Sequence, residues 1–528
     1  MKSWRTWLIV ILMVSAAWKI ILLALDVVPL NSDEAIVGLM ARHILLGERP
    51  IFFYGQSYMG SLDAFLVAAG FRLLGEATWV IRMVQGLLFL GVLSTTVWLG
   101  KTAFGSVWTG ILAAGLLAIP TTNISLYNTI SLGGYGETLL IGNLLLILAI
   151  RLSRRPGLWE WLAVGFLAGF GLWANGLTLV YSIPAIVFAL YHQKGNWKTQ
   201  PFFLGMGALI LGAAVGATPW WIYAWKNGLT HLVGELLGSA VSVEQGNLLA
   251  RSASHLVNLL LLGVPAIIGL RPPWGITWLA LPMIPFALAA WGWVLVFFFR
   301  SLGKDQPRRE IRFVLTGVGV TLFGGFLFTS FGVDPSGRYF LPLAVPLALA
   351  AGDFALTSPS PRAVRWAGVI VILLFQVWGN VQAALTYPPG FTTQFDATTI
   401  LEHRDDPELI RFLQSKNITR GYTHYWVAYP LAFQSGETLI FTPRLPYHQD
   451  LRYTPRDNRY TLYNDLVDGS AEVAYISARN PALDQKIVSG FSNLRVQWVE
   501  ETIGDYHVYY DLSRPVRPEE LGFGSPSP

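Results

Sequence analysis

Residues 7–25 read WLIVILMVSAAWKIILLAL, an apolar run long enough to cross a membrane as one helix. The chain has 528 residues, of which 53% are hydrophobic and 13% charged, and further apolar runs recur along it. Its mean hydropathy is +0.47, which is more apolar sequence than a soluble core needs. We therefore expect a polytopic α-helical membrane protein. The first run follows Lys2 and Arg5 and has no small-residue cleavage site, so it is predicted to remain as a span.

Short basic loops between the apolar runs predict the topology, because Lys and Arg accumulate on the cytoplasmic side of a membrane. Such loops lie at 151–155, 192–198, 300–312 and 362–365. Eleven crossings would place all of these loops inside and the C-terminus outside: 7–25, 78–100, 106–120, 136–151, 158–174, 177–191, 201–224, 276–300, 313–331, 338–356 and 366–385. The shorter apolar stretches 62–74 and 256–270 are expected to lie in the outer leaflet, and the number of crossings would be thirteen if both crossed.

The composition changes near residue 386, where apolar runs shorten and charged residues become frequent. We therefore expect a transmembrane domain at 1–385, with an outer loop at 26–77, and a soluble extracytoplasmic domain at 386–528 with a disordered tail. In the second domain, the patterns predict helices and strands in alternation, which is typical of a small α/β fold. The helices are expected at 407–416 and 481–491, and the strands at 438–441, 472–476, 494–499 and 507–510.

The composition also excludes several classes of function. The net charge of +5 comes from Lys and Arg in short loops, which argues against a nucleic-acid partner. The absence of Cys excludes disulfides, thiolate zinc sites and thiol catalysis. No phosphate-binding loop of the ATPase type and no metal-binding His pair is present, so a divalent cation could be held only by carboxylates.

The strongest candidate for chemistry is the acidic pair Asp33 and Glu34, which directly follows the first span. The segment after it, 35–46, has apolar residues at helical spacing and predicts an interfacial helix with both acids in its first turn. Adjacent helical side chains diverge by about 100°, so we expect Asp33 to face a cavity while its neighbour points elsewhere. The alternative is that Asp33 only caps the helix or favours the positive end of the helix dipole.

Further candidates lie on the same predicted side of the membrane. Asp63 follows an aromatic segment at 52–58 that could stack on sugar rings or sit at the headgroup level. Glu137 lies at the mouth of a span, where it could instead be a charge that reaches water. Arg82 and Arg338 could stabilise a leaving phosphate, although snorkelling to headgroups is an alternative, stronger for Arg82.

In order along the chain, these residues resemble the GT-C superfamily of polyprenyl-phosphate-sugar-dependent glycosyltransferases, which includes protein O-mannosyltransferases and lipid A aminoarabinose transferases. The resemblance covers about residues 7–385. It rests on Asp33-Glu34, the turn at 47–50, YGQSYMG at 54–60, Asp63, Leu74-Gly75 before Arg82, an acidic second outer loop, and RYFLP at 338–342.

The resemblance implies that Asp33 is the catalytic carboxylate and that Arg338 contacts the donor phosphate. It also implies that Asp63 and Glu137 help to hold the acceptor, the donor phosphate or a metal ion. The remaining residues expected to contact substrate are Glu34, Tyr54, Gln56, Tyr58, Arg82 and Tyr339.

An outward-facing enzyme has no nucleotide sugars at hand, so a polyprenyl-phosphate sugar is the expected donor. We expect a bacterial inner-membrane protein in which Asp33 accepts the proton of an acceptor hydroxyl as that oxygen attacks the anomeric carbon, with inversion. The acceptor could be a glycan, a lipid or a protein. A transporter or flippase of glycolipids and an inactive glycolipid-binding homologue remain as alternatives.

Overall fold

Apolar helices make up most of the first 386 residues. The computed structural model describes residues 3–239, 241, 247–303, 306–386, 390–395 and 400–523. Within these ranges, eight helices are long and apolar enough to cross a membrane, as expected for a polytopic membrane protein. They are Trp4–Ala24, Thr78–Phe104, Tyr135–Arg154, Leu248–Ile267, Leu281–Gly303, Arg308–Phe328, Arg338–Thr357 and Arg362–Leu385.

Several predicted crossings differ in the structure. The stretch 106–120 forms the helix Val107–Ala118, whose 12 residues are too short to span a bilayer alone. Leu158–Ala174 and Gly176–His192 are also shorter apolar helices. The predicted span 201–224 is a pair, Gln200–Gly216 and Thr218–Asn227, bent by 63°. The break precedes Pro219, which cannot donate a backbone hydrogen bond to a continuing helix.

The two stretches expected in the outer leaflet have different outcomes. The first forms the short helix Leu62–Leu74, with the predicted bounds. The second belongs to the longer helix Leu248–Ile267, which is long and apolar enough to cross a membrane. Polar residues such as Arg251 and His255 had shortened the apolar run in the sequence without ending the helix.

Close helix packing depends on small residues. Gly165 and Gly169 of one helix and Gly212 and Gly216 of its neighbour each approach the backbone of the opposite helix. A Cβ at Gly165 would lie 2.0 Å from the carbonyl oxygen of Leu209, so no larger residue fits there. This small-residue interface is typical of helices packed within membranes.

The chain divides into two compact units. The first contains residues 1–26, 57–63 and 82–386, and the second contains 27–56, 64–81 and 387–528. Much of the loop that we assigned to the transmembrane domain therefore groups with the C-terminal residues. The second unit includes the helices Ser32–Leu45 and Leu62–Leu74, the second of which begins within the first unit's residues.

The C-terminal residues form a small α/β domain around a five-stranded sheet, as expected. The strand order is Ile440–Pro443, Arg420–Thr423, Ala474–Ala478, Tyr506–Tyr510 and Val499–Ile503. The first three strands are parallel and the last two are antiparallel to their neighbours. The helices are Asp406–Ser415, Tyr425–Gln434, Leu462–Asp468 and Pro481–Asn493.

Both predicted helices of this domain are present, but one predicted strand is misplaced. The stretch 494–499 was expected to be a strand, whereas the strand starts only at Val499. Arg495 has a φ of 55°, a left-handed conformation that ends the preceding helix and is incompatible with an extended strand. Of the tail that we expected to be disordered, residues 524–528 lie outside the described residues.

Candidate functional site

In the first unit, Arg338 follows a turn that its surroundings hold in place. Gly337 has a φ of 78°, and a Cβ there would lie 2.5 Å from a neighbouring methyl group, so the turn requires glycine. Asn123 donates a hydrogen bond to the carbonyl of Ser336 at 3.2 Å. Arg271 donates two hydrogen bonds to the preceding carbonyl, at 3.0 and 2.7 Å. The backbone that presents Arg338 is thus fixed before any ligand binds.

The guanidinium of Arg338 has an N–H donor without a partner among the described residues. Its Nη2 lies 2.6 Å from Oδ2 of Asp334, and its charge lies 5.0 Å from the ring centroid of Tyr339. Among the described residues, neither the buried Nε of Arg338 nor the buried hydroxyl of Tyr339 has a hydrogen-bond partner. Because the guanidinium has five N–H donors in a planar fork, it could still bind an anionic oxygen.

A mainly apolar cavity of about 280 Å³ lies beside Tyr339. Tyr58 and Tyr339, both predicted to contact substrate, are part of its wall. The other lining residues are Asn175, Gly176, Leu177, Leu179, Val180, Ile183, Leu236, Leu237, Thr321, Leu322, Gly325, Phe326, Thr329 and Phe331. The cavity therefore offers room for an apolar chain next to Tyr339, the residue that follows Arg338.

Asp63 and Glu137 are both buried in the first unit, each 2% exposed. Gln85 donates to Oδ1 of Asp63 at 2.7 Å, and the Ser131 hydroxyl donates to Oδ2. Burial raises the pKa of Asp63 to about 6, while hydrogen bonds from Ser131, from the backbone of Gly133 and its neighbour, and from Gln85 lower it. Both carboxylate oxygens of Asp63 thus already accept hydrogen bonds from the protein.

Glu137 differs from Asp63 in its partners. Neither of its carboxylate oxygens has a hydrogen-bond partner among the described residues, although the side chain is buried. An unpaired buried carboxylate is costly, so a proton or a cation would stabilise this position. Within the described ranges, no group of three or more His, Asp or Glu residues could hold a metal. Arg82, in the same unit, is half-buried in the helix Thr78–Phe104.

In the second unit, Asp33 lies in the first turn of the helix Ser32–Leu45. The helix is capped by Asn31, whose side chain accepts a hydrogen bond from the backbone N–H of Asp33 at 2.8 Å. The alternative role of Asp33 as the cap is therefore wrong. Its carboxylate instead accepts a hydrogen bond on Oδ1 from the hydroxyl of Tyr425. Asp33 is half-buried, and Glu34 is fully buried.

Charged groups of the C-terminal domain surround this contact. The guanidinium carbon of Arg459 lies 5.6 Å from the ring centroid of Tyr425. Burial raises the pKa of Asp457 to about 7, with the Arg459 charge lowering it and the Asp33 charge raising it. Burial, followed by the charge of Asp33, raises the pKa of Tyr425, so its hydroxyl remains a hydrogen-bond donor.

Tyr54 belongs to a different cluster of the second unit. Its hydroxyl lies 2.9 Å from Nδ1 of His43 and donates to Glu48 at 2.9 Å. Its ring stacks on Tyr460 with centroids 4.7 Å apart. Gln56 is half-buried at the start of the strand Gln56–Gly60. The structure thus groups Tyr58, Arg338 and Tyr339, pairs Asp63 with Glu137, and gives Asp33 and Tyr54 separate neighbours.

Sequence reasoning missed several residues of these clusters. Arg271 holds the turn before Arg338, and Gln85 and Ser131 hold Asp63. Tyr425 lies in the aromatic stretch YWVAY at 425–429, which by itself indicates no role, and Arg459 has no local signal. The contact between Tyr425 and Asp33 joins residues 392 positions apart, which no local pattern can indicate.

Comparison with known proteins gives a structural likeness only. No protein-family model and no curated protein sequence matches the chain. The structure is similar to ArnT from Cupriavidus metallidurans bound to undecaprenyl phosphate, with a TM-score of 0.59 and 11% identity over 95% of this chain and 98% of that one. For ArnT in the apo state, the TM-score is 0.55 at 12% identity, over 94% and 98%.

A third solved structure is the archaeal oligosaccharyltransferase AglB from Archaeoglobus fulgidus, in complex with an inhibitory peptide and a dolichol-phosphate. It aligns with a TM-score of 0.46 and 11% identity over 90% of this chain and 69% of its own. The likeness to ArnT shows that the chain has the same fold as that protein, as the resemblance in its sequence implied.

Proposed function

We propose that the chain is an integral membrane glycosyltransferase that transfers a sugar from a polyprenyl-phosphate donor to an acceptor hydroxyl outside the bacterial cytoplasmic membrane. The observation that carries this proposal is the fold shared with ArnT, which was solved with undecaprenyl phosphate bound. The mainly apolar cavity beside Tyr339 adds support, because a polyprenyl chain needs such a surface.

Arg338 is the proposed partner of the donor phosphate. The bond between the anomeric carbon and the phosphate oxygen breaks in the reaction, and its electron pair leaves with the phosphate. Negative charge therefore grows on the leaving group, and a fixed guanidinium in a partly dehydrated site stabilises that charge. The buried Nε of Arg338, unpartnered among the described residues, is a donor suited to this role. Tyr58 and Tyr339 would contact the lipid near its phosphate.

Asp33 is the proposed general base. It would accept the proton of the acceptor hydroxyl while that oxygen forms its bond to the anomeric carbon, opposite the departing phosphate. Inversion at the anomeric carbon follows from this single displacement. The carboxylate is half-buried and is not used for helix capping, so it is available for proton transfer. The other predicted contacts, Glu34, Tyr54, Gln56 and Arg82, are proposed to shape the donor and acceptor sites.

Asp63 and Glu137 are proposed to support the same site. Asp63 is held by hydrogen bonds, whereas Glu137 has unpaired oxygens among the described residues and could accept a cation or a proton. Carboxylate oxygens are the ligands that a hard divalent ion prefers. Such an ion would screen the negative charge of the donor phosphate.

The transporter alternative is less well supported. Ion-coupled carriers use ionisable groups near mid-membrane. Lys19, which lies within the first apolar helix, donates hydrogen bonds to the carbonyl of Asn128 and, at 3.2 Å, to the hydroxyl of Thr129. Its charge therefore already has protein partners, which favours a structural role.

The experiment is mass spectrometry of surface glycans, lipids and proteins from cells with wild-type protein, Asp33→Asn or Asp26→Asn. Asp26 is an exposed acid at the end of the first span, with a φ of 51° that Asn tolerates, so it is a matched control. We expect one sugar mass increment with wild type and Asp26→Asn that is lost with Asp33→Asn. The same glycans in all three strains would contradict the proposed function.

A further inference from the structure

We propose that Tyr425 of the C-terminal α/β domain is a positioning residue for Asp33, and that Arg459 supports the pair, so that this domain orients the proposed base. The inference rests on the proposed function, in which Asp33 is the base. The C-terminal domain, whose role cannot be predicted from the sequence, thereby acquires a chemical one.

The fold places Tyr425 where α/β sheets commonly present functional groups. The helix Tyr425–Gln434 begins right after the parallel strand Arg420–Thr423, with His424 between them. Residues at the carboxyl ends of parallel strands line the crevice in which such sheets bind ligands. Tyr425 is 3% exposed, so its position is set by packing.

Two hydrogen bonds fix Tyr425 against the start of the helix Ser32–Leu45. The hydroxyl of Ser32 donates to the backbone carbonyl of Tyr425 at 2.9 Å, and the hydroxyl of Tyr425 donates to Oδ1 of Asp33. Among the described residues, this is the one side-chain hydrogen bond of the Asp33 carboxylate. Because both backbone and side chain of Tyr425 are tied, the contact has a defined geometry.

This contact suits a base that must point one carboxylate oxygen at the acceptor hydroxyl. A carboxylate has two oxygens, and a donor on Oδ1 restricts rotation of the group and leaves Oδ2 for the acceptor hydroxyl. The ionised carboxylate is the form that can act as base. Tyr425 would therefore act through Asp33, without touching the substrate.

The positive charge of Arg459 offsets the negative charges of Asp33 and Asp457. The charged and titratable groups that face Asp33 within the second unit are Tyr425, Arg459 and Asp457. Without the Arg459 guanidinium, the carboxylates of Asp33 and Asp457 would repel each other in a buried setting. Its backbone N–H donates to the hydroxyl of Tyr429 at 2.6 Å, which holds the residue in place.

The test is steady-state kinetics of full-length Tyr425→Phe in detergent or vesicles, with a labelled polyprenyl-phosphate sugar. A hydrogen bond to a charged group predicts that kcat falls about 10- to 100-fold, with the donor KM within about twofold of wild type. The acidic limb of the pH–rate profile should move to higher pH, because the ionised carboxylate loses a donor.

Tyr422→Phe is the matched control. Tyr422 is buried in the same domain and donates to Asp468 at 3.0 Å, so its variant loses the same kind of bond elsewhere. It should keep the wild-type kcat and pH profile. If Tyr425→Phe fails to fold, Arg459→Gln gives the second reading, and the same shift of the acidic limb is expected.

The outcomes separate the two proposals. An inactive Asp33→Asn with a wild-type kcat and pH profile for Tyr425→Phe would overturn the role of Tyr425 and leave the proposed function intact. An unchanged pH profile for Arg459→Gln would overturn the inference in the same way. Normal turnover by Asp33→Asn would instead contradict the proposed function itself.

Discussion

At the scale of single residues, Asp33 and Arg338 carry the two proposed chemical roles, the general base and the contact to the donor phosphate. Asp33 stands out because it directly follows the first apolar run, and Arg338 because it follows a tight turn. Their neighbours in space come from distant positions. The burial of Glu137, and its lack of hydrogen-bond partners among the described residues, depends on packing that one sequence does not reveal.

Arg338→Gln tests the proposed phosphate contact. The change removes the charge while keeping a side chain of similar length, so we expect the donor KM to rise at least about tenfold, as for a lost charge-assisted hydrogen bond. Arg300→Gln removes an exposed arginine at the end of another helix and should leave KM unchanged. Equal KM values for Arg338→Gln and wild type would contradict the contact.

At the scale of elements, long uniform apolar runs were predictable and interrupted ones were not. The first span and the helix Leu62–Leu74 agree closely with their predictions. The helix Tyr425–Gln434 was missed because it is buried on nearly every face and contains Pro430, so it shows no amphipathic period. The strand Arg420–Thr423 was missed because it is short and contains Gly421, where a Cβ would lie 2.1 Å from a backbone oxygen.

The helix Ser32–Leu45 is anchored within its unit by Glu437. Its carboxylate lies 2.9 Å from Nε2 of His43 and 3.2 Å from Nη1 of Arg42, and it accepts from Tyr463 at 2.6 Å. Burial opposes ionisation, but these groups outweigh it and lower the pKa of Glu437 to about 2. A carboxyl whose pKa is lower when folded stabilises the fold above its unfolded pKa and loses that contribution as the pH falls towards 2.

Glu437→Gln should therefore lower the free energy of unfolding at pH 7 by about 1 kcal/mol, allowing for solvent screening. The difference from wild type should shrink between about pH 4.5 and 2, the window set by the unfolded and folded pKa values. Thermal unfolding in detergent at several pH values measures it, with the exposed Glu472→Gln as control. A difference that stays constant with pH would argue against the anchoring role.

At the scale of the whole molecule, the interior of the first unit carries the proposed donor site. In an apolar 18-residue stretch of each span, 72% of the residues are buried in Tyr135–Arg154 and 83% in Arg338–Thr357. In the first span the buried share is 22%. Glu137 and Arg338 lie in the first turns of these two buried helices. Polar groups on interior helices of a membrane protein commonly mark function.

The predicted orientation can be tested by labelling, because the native chain has no Cys. Gly195→Cys introduces a thiol in a predicted cytoplasmic loop, where a Cβ has no neighbour within 4 Å. Ser415→Cys introduces one on an exposed position of the C-terminal domain. In intact spheroplasts, a membrane-impermeant maleimide should label only Ser415→Cys. The opposite labelling pattern would contradict the proposed extracytoplasmic site.

Asp33 is the proposed base in transfer from a lipid-linked sugar. The most direct measurement is the rate at which purified full-length protein releases polyprenyl phosphate from labelled donor in the presence of acceptor, for wild type and Asp33→Asn. General-base catalysis predicts that the variant is slower by about 10²- to 10⁴-fold while its unfolding temperature is unchanged. An Asp33→Asn protein that releases polyprenyl phosphate at the wild-type rate would contradict the account.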